Sequence, residues 1–105
     1  MTLRQKQSKF SYMIALLILQ AYHLGYEMTF ADFYRSSEVK YGHKNSLHKK
    51  RLAADINLFK DGKYLTSTKS YLPIGEYWES LDPGCCWGGR FDDGNHFSFS
   101  HGGMK

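Results

Sequence analysis

The stretch "LAADINLFKDGKYLTS" (residues 52–67) sets the architecture of this chain. In its first half, apolar side chains alternate with Asp55 and Asn57, which is the period of a strand with one face in a core. The residues expected to enter that core are Ala54, Ile56 and Leu58. Asp61 and Gly62 are the pair that favours a two-residue hairpin turn, so the chain returns as a second strand at "YLTS". The stretch therefore predicts an antiparallel sheet.

A helix is predicted ahead of this hairpin, in the apolar segment "FSYMIALLILQAY" and the residues that follow it. The apolar stripe consists of Phe10, Ile14, Leu17, Ala21 and Leu24, and it is widened by Met13, Leu16 and Leu19. Gly25 is a natural C-terminal stop. The basic start resembles a secretory signal, but a small-x-small cleavage site is missing and the run is too short to span a bilayer. A largely buried first helix is therefore preferred, and we expect no stable membrane insertion.

Further elements follow on both sides of the hairpin. "YEMTFADFYR" (residues 26–35) alternates as a strand with Tyr26, Met28 and Phe30 on one face, and it places Arg35 at a strand end. "PIGEYWESLD" predicts a short helix that opens near Pro73, and "PGCCWGGRFDDGN" predicts a glycine-rich loop. The last strand is "HFSFSH". Its polar face is expected to hold His96, Ser98 and Ser100, and its apolar face Phe97 and Phe99.

Length and composition indicate one small folded domain over residues 1–105. The predicted elements place it in the α+β class, with the N-terminal helix packed on an antiparallel sheet. Cys85 and Cys86 are adjacent and cannot form an ordinary disulfide framework, so we expect the fold to be stable without disulfide bonds. A net charge of +4 attracts anionic polymers, of which nucleic acid and bacterial cell wall are both candidates. The basic run Lys49 to Arg51 is more typical of a solvated loop, and no RNA-binding motif accompanies it, so no nucleic-acid partner is expected.

His48 and Asp55 are the first candidates for a metal site. On one helix, seven residues would separate them by about 10.5 Å of rise, which is too far for one ion. A loop that ends at His48 and a strand that holds Asp55 would instead let both side chains reach a common cation. The later histidines His96 and His101 are the candidates for a third ligand, and His96 is preferred because it begins a strand and its ring points away from Phe97. A set of two histidines and one carboxylate favours zinc or a similar divalent ion, with a fourth position left for water. An isolated His–Asp pair would instead be interpreted as unrelated polar residues.

Asp93 stands three residues before His96, in "DGNH". A tight turn there could aim its carboxylate at the water rather than at the metal, so Asp93 is the candidate general base. Its neighbour Asp92 is interpreted as a solvated loop acid.

Four short motifs together resemble a known family. They are Tyr34-Arg35-Ser36, Ser46-Leu47-His48, Ala53-Ala54-Asp55 and Asp93-Gly94-Asn95-His96. Their spacing resembles that of the zinc peptidases that include D-alanyl-D-alanine carboxypeptidases and the L-alanyl-D-glutamate endopeptidases of bacteriophage lysins. The resemblance implies a hedgehog/DD-peptidase-like fold and a zinc ion on His48, Asp55 and His96. It also implies Asp93 as base, and Arg35 and Ser46 as substrate contacts, with Arg35 stabilising the oxyanion.

One departure from the family pattern concerns the turn between the first two ligands. Arg51 stands where the family has glycine, and we expect the turn to take other backbone angles there. Asn95 stands where the family often has proline or tryptophan.

The function implied by this resemblance is a zinc metallopeptidase of the peptidoglycan stem. The first choice is the L-alanyl-D-glutamate endopeptidase of a phage or prophage lysin, and the alternatives are a D-alanyl-D-alanine carboxypeptidase or a non-catalytic zinc-binding module. We expect a monomer that is made in the bacterial cytoplasm without a signal peptide and acts on the cell wall. A membrane-permeabilising phage protein would then provide access to the periplasm, and export by the first segment is the alternative.

Overall fold

A computed structural model describes residues 1–32 and 47–103, and its first element is the 21-residue helix α1 (Leu3–His23). Thr2 opens α1 with a capping box: its hydroxyl accepts from the Gln5 amide at 3.1 Å, and the Gln5 side chain accepts from the Thr2 amide at 2.8 Å. At the other end, Gly25 has a φ of 91° and donates to the Tyr22 carbonyl. The predicted stop at Gly25 is thus confirmed.

One side of α1 carries the buried residues. These are Phe10, Met13, Ile14, Leu17 and Ala21. Leu16 is half-buried, whereas the expectation that Leu19 and Leu24 join the buried face is wrong, because both are exposed. Leu19 lies about 200° around the helix from Leu17, and Leu24 follows the last helical residue. Within residues 1–32 and 47–103, no helix has both the length and the apolar content needed to cross a membrane.

Within residues 1–32 and 47–103, five antiparallel strands form the sheet. Their bounds are β1 (Glu27–Phe30), β2 (Ala53–Lys60), β3 (Lys63–Leu65), β4 (Cys85–Trp87) and β5 (His96–Phe99). The order is β1-β2-β5-β4, and β3 pairs with β2. A second helix, α2 (Leu72–Leu81), begins with Pro73 in its first turn as predicted. Short 3₁₀ turns lie at Leu47–Lys50, Thr68–Tyr71 and Gly88–Phe91. The chain is therefore a small, compact single-domain α+β protein with an N-terminal helix and an antiparallel sheet.

Strand β2 is the centre of the sheet, and its predicted alternation is confirmed. Ala54, Ile56 and Leu58 are fully buried, while Asp55 and Asn57 are half-exposed. The predicted hairpin is also present: Asp61 and Gly62 have φ angles of 52° and 76°, and Lys60 pairs with Lys63. Positive φ at both turn residues is the conformation that the Asp-Gly pair favours.

Strand β1 is shorter than predicted. It ends at Phe30, and Phe30 is 59% exposed, so its assignment to the inner face is wrong. Among the described residues, β1 pairs with β2 alone, so it is an edge strand with little cover on either face. Tyr26 and Met28 do pack against the core as expected.

The segment predicted as a glycine-rich loop contains strand β4, so the loop assignment is wrong for residues 85–87. β4 forms because Cys85 pairs with Phe99 and Trp87 with Phe97 on β5, a contact that local composition does not encode. Trp78 of α2 is fully buried beneath these strands, and its indole N–H lies 3.0 Å from the Ser98 carbonyl and 3.1 Å from the Cys86 carbonyl. Ser98 is completely buried, so both faces of β5 are covered.

Candidate metal centre

Three side chains from separate segments meet at one end of the sheet. His48 lies on the 3₁₀ turn Leu47–Lys50, Asp55 is the third residue of β2, and His96 is the first residue of β5. Asp55 and His96 are direct partners in the β2–β5 register. The Asp55 Oδ1 atom lies 3.3 Å from His48 Nε2 and 3.2 Å from His96 Nδ1. The ligand atoms of all three residues lie within 4.8 Å of one another, so the group could hold a metal ion.

A tight turn carries His48 to this position. The buried Leu47 accepts at its carbonyl from the Leu52 amide at 2.9 Å, and Arg51 donates to the His48 carbonyl at 3.2 Å. Arg51 has a φ of 56°, which is the left-handed region that glycine adopts freely. Arg51 adopts this conformation because the turn must reverse within a few residues to enter β2, and it does so at a cost of roughly 1 kcal/mol. The expected difference from the family's backbone angles stays a prediction.

The electrostatics favour a charged carboxylate between the two rings. Partial burial of Asp55 acts to raise its pKa, but the hydrogen bonds and charges of His48 and His96 outweigh it and lower the pKa of Asp55 to about 2. Two ligands bound tetrahedrally at about 2.1 Å lie roughly 3.4 Å apart, close to the two distances from Asp55 Oδ1. The spacing thus suits hydrogen bonds and metal ligation alike.

The hydrogen-bond partners of the two His96 ring nitrogens show whether this group suits a cation. Its Nε2 atom is buried and has no hydrogen-bond partner among the described residues. If Nδ1 carries the proton and donates to Asp55, Nε2 keeps a buried lone pair without a donor, which costs about 1–3 kcal/mol. In the other tautomer, the Nδ1 lone pair faces the carboxylate, and only a cation between them makes that contact favourable. In either tautomer, one ring nitrogen is available to a metal ion.

The loop before β5 places Asp93 beside this group. The Asp93 amide donates to the Gly88 carbonyl at 2.8 Å, and the His96 amide donates to the Asp93 carbonyl at 3.1 Å. Partial burial raises the pKa of Asp93, and the charges of His96, Asp55 and His48 all act on this carboxyl. Asp93 still reaches solvent. A carboxylate that is near the candidate ligands, accessible and partly desolvated can accept and release a proton.

Two residues that the sequence interpretation did not single out hold this loop in place. A Cβ on Gly88 would collide with the Asp93 carbonyl oxygen and with the His96 side chain, so a residue larger than glycine would displace the loop. Trp87 donates its indole N–H to the Gly94 carbonyl at 2.7 Å. Trp87 is itself buried. The doubled glycine of "WGGR" is a sequence signal for such a close approach.

A polar cavity of about 210 Å³ adjoins Asp93. Its walls include Tyr64, Thr66, Thr68, Asp92 and Asn95. Asp92 is exposed, as a solvated loop acid should be, and it also accepts from the Thr68 hydroxyl at 3.3 Å. The Tyr64 hydroxyl donates to Asn57 Oδ1, two residues along β2 from Asp55, so the cavity continues the face that carries the ligands.

Other candidate residues lie elsewhere. Arg35 and Ser46, the expected substrate contacts, lie outside the described residues, as does His43. His23 is exposed at the end of α1, and His101 lies beside the Lys6 ammonium at 3.5 Å. Cys85 is buried and Cys86 half-buried, and no disulfide bond joins them.

Comparison with known proteins does not identify a family for this chain. The chain matches no protein-family model, and a search of curated proteins gives no match either. The functional inference therefore depends on the residues themselves. They form a His–Asp–His group that could hold a metal ion, with a carboxylate and a polar cavity beside it.

Proposed function

We propose that this chain is a zinc-dependent peptidase that hydrolyses a peptide bond in the stem of bacterial peptidoglycan. The proposal rests on one observation above all: His48, Asp55 and His96 come from three separate segments and converge within reach of one ion. The family resemblance of the sequence motifs supports the choice of substrate, with the L-alanyl-D-glutamate bond first. The hedgehog/DD-peptidase fold is part of the same proposal.

Zinc is the proposed metal because the donor set contains two imidazoles and one carboxylate. This set suits a zinc ion that keeps one position for solvent, and it is unlike the all-oxygen sets of magnesium or calcium. Zinc bound there would polarise the scissile carbonyl and lower the pKa of the attacking water. His48, Asp55 and His96 would hold the ion, and the burial of the two rings would limit the access of competing water.

Asp93 is the proposed general base. Its carboxylate oxygen would take a proton from the attacking water and pass it to the leaving amine. Its proximity to the three ligands supports this role, and so does its raised pKa, since a stronger base accepts the proton more readily. A zinc module without catalysis would have no need for a carboxylate in this position.

The substrate contacts complete the proposal. Arg35 would stabilise the negative charge that develops on the scissile carbonyl, and Ser46 would bind the stem peptide. Part of the peptide would occupy the cavity beside Asp93, where hydroxyl and amide groups can pair with its polar backbone. We further propose that the enzyme acts on the cell wall after synthesis in the bacterial cytoplasm.

Digestion of purified peptidoglycan tests this function. The protein is incubated with the polymer and zinc, with and without a chelator, and new termini are identified by mass spectrometry. We expect new amino-terminal D-glutamate that disappears with the chelator and returns when zinc is restored. Released D-alanine would instead identify the carboxypeptidase. An absence of metal-dependent cleavage would contradict the proposal.

The Asp93→Asn variant separates catalysis from metal binding. It keeps the size of the side chain but cannot accept the proton, so cleavage should fall by about 10²–10⁴-fold while zinc affinity changes little. Asp92→Asn is the matched control on the neighbouring residue and should retain activity. Equal activity of the Asp93 variant and the wild type would remove Asp93 from the mechanism.

A further inference from the structure

Helix α1 has a second apolar side, which faces away from the core. From Phe10 to Leu24 the sequence contains no Asp, Glu, Lys or Arg, although only one side of the helix is buried in the fold. The outer face is formed by Tyr12, Ala15, Leu19 and Tyr22, which are all exposed. Tyr12 is 66%, Leu19 67% and Tyr22 48% exposed. A continuous exposed apolar face on a helix is typical of a surface that is covered by a partner or a membrane.

The outer face is continuous and adjoins a groove. Its four residues follow one another at intervals of three and four, so they lie along one line of the helix. Beside this line is an apolar groove of about 600 Å³, lined by Phe10, Ser11, Ile14, Ala15 and Ile18, together with Gln7 and Arg51. Line and groove together form an apolar surface larger than scattered exposed side chains would give.

Basic residues lie at the N-terminal end of this surface. Helix α1 has no acidic residue, and its Arg4 is exposed, whereas Lys9 pairs with Asp82 and Lys6 donates to the Ser100 carbonyl. The Gln7 side chain donates to the Lys50 carbonyl at 2.9 Å, which brings the basic run Lys49 to Arg51 next to the same end of the helix. Arg51 itself lines the groove. The apolar surface is thus combined with a positive border, in a protein of net charge +4.

Charge distinguishes between two partners that could cover this surface, a second copy of the chain and a lipid bilayer. A second copy of the chain would bring two proteins of charge +4 together, so the long-range electrostatic interaction would be repulsive. An anionic lipid surface would attract the same cations, and its interface is where tyrosine rings and apolar side chains both find favourable surroundings. We propose that the outer face of α1 docks on an anionic phospholipid bilayer and lies parallel to its surface. This inference does not depend on the peptidase function.

Co-sedimentation of the full-length protein with lipid vesicles tests this proposal. One set of vesicles is an equimolar mixture of phosphatidylglycerol and phosphatidylcholine, and the other is phosphatidylcholine alone. We expect binding to the anionic vesicles that weakens as salt is added, and much weaker binding to the neutral ones. No binding by the wild type, or equal binding to both vesicle types, would overturn the proposal.

Two matched variants at Leu19 test the apolar contribution. Leu19→Gln should reduce the partition coefficient by about tenfold, because the buried hydrocarbon is replaced by an amide. Leu19→Met keeps the apolar surface and should stay within about twofold of the wild type. Both replacements have helix propensities close to that of leucine, so circular dichroism should show the same helix content. Unchanged binding of Leu19→Gln would overturn the proposal.

Arg4→Gln tests the charge contribution. Removal of one cation near the anionic surface should weaken binding by roughly fivefold, with little change on neutral vesicles. Sedimentation velocity of the free protein distinguishes the competing occupant. A dimer that Leu19→Gln dissociates, together with no binding to anionic vesicles, would show that a second copy covers the face and would overturn the membrane proposal.

Discussion

The two halves of β2 have the same alternating sequence pattern but are held by different means. In the first half, residues 53–55 pair with β5, and Asp55 contacts a histidine 41 residues further along the chain. In the second half, residues 58–60 pair with β3 across a two-residue turn, and β1 also pairs with residues 56–59. Of the three candidate metal ligands, β2 supplies Asp55, which lies in its first half. A site that depends on remote partners can be lost through changes far from it in sequence, whereas the hairpin depends on its own turn.

The largest effect is expected from His96→Ala, which removes the candidate ligand that β5 places opposite Asp55 in the first half of β2. Zinc affinity should fall by more than about a hundredfold, since the loss of even a hydrogen-bond partner of a ligand costs about 10- to 100-fold. Isothermal titration calorimetry measures this directly. His101→Ala is the matched control, because His101 lies beside Lys6, outside the group, and should leave zinc affinity unchanged. Similar losses in both variants would show that the group is not a specific site.

Gly88→Ala tests the first half of β2 through the loop that precedes its partner strand β5. The added methyl group meets the Asp93 carbonyl and the His96 side chain, so the loop must shift, and we expect a loss of about 3 kcal/mol in the free energy of unfolding. Zinc affinity should fall with it. Urea denaturation followed by tryptophan fluorescence provides the measurement.

The matched control for that variant is Gly62→Ala in the hairpin. Its added methyl group meets no atom within 4 Å, and only the positive φ of 76° is unfavourable. The expected loss is about 1 kcal/mol, with unchanged zinc affinity. If both glycine variants lost zinc affinity equally, the two halves of β2 would not be independent.

Asp82→Asn tests the contacts of Asp82 with Lys9 and Gly84, which lie just before β4, the strand next to β5. Asp82 Oδ1 lies 2.6 Å from the Lys9 ammonium, and Asp82 Oδ2 accepts from the Gly84 amide at 2.8 Å. The Lys9 contact, followed by the Gly84 hydrogen bond, lowers the pKa of Asp82. Because the pKa of Asp82 is lower in the folded chain than in the unfolded chain, its carboxylate stabilises the fold at any pH above the unfolded pKa. This contribution is lost as the pH falls through the folded pKa.

The variant should therefore lose about 1 kcal/mol at neutral pH, a modest value because both side chains still reach water. The difference from the wild type should disappear as the pH falls below the usual value of 3.8. Urea denaturation at neutral and acid pH measures both. A difference independent of pH would mean that the charge of Asp82 does not contribute.

Arg51→Gly should have the smallest effect, and it is stabilising. Glycine removes the cost of the left-handed conformation at φ 56°, but it also gives the unfolded chain more freedom, so the net gain is about 0.5 kcal/mol. Thermal denaturation measures the shift. A loss of stability would show that the Arg51 side chain contributes more than its backbone strain costs.

The sequence was sufficient for features that depend on near neighbours. Asp61-Gly62 specifies the hairpin because both residues tolerate positive φ, and Gly25 ends α1 for the same reason. Strand β4 was missed, because residues 85–87 are extended only through their pairing with β5. Leu19 was assigned to the core because its exposed side of α1 is as apolar as the buried side.

The candidate site was predictable in part. The structure brings together His48, Asp55 and His96. Their residue types could be read from the sequence, and so could the positions of His48 at the end of a loop and of Asp55 and His96 on strands. The doubled glycine at residues 88–89 indicates a close approach, but the contacts that Gly88 and Trp87 make could not be read from the sequence, because they are made with a loop that folds back against them. The proposed roles of Arg35 and Ser46 lie outside the described residues and stay predictions.

The indole of Trp78 has a consequence for observing this fold in solution. Its N–H lies between the Ser98 and Cys86 carbonyls, which belong to directly paired residues of β5 and β4. The proton is thus enclosed, and it can exchange with deuterium only when that strand pair separates. A single indole resonance, well resolved from the backbone amides, would then report how often the edge of the sheet next to His96 opens.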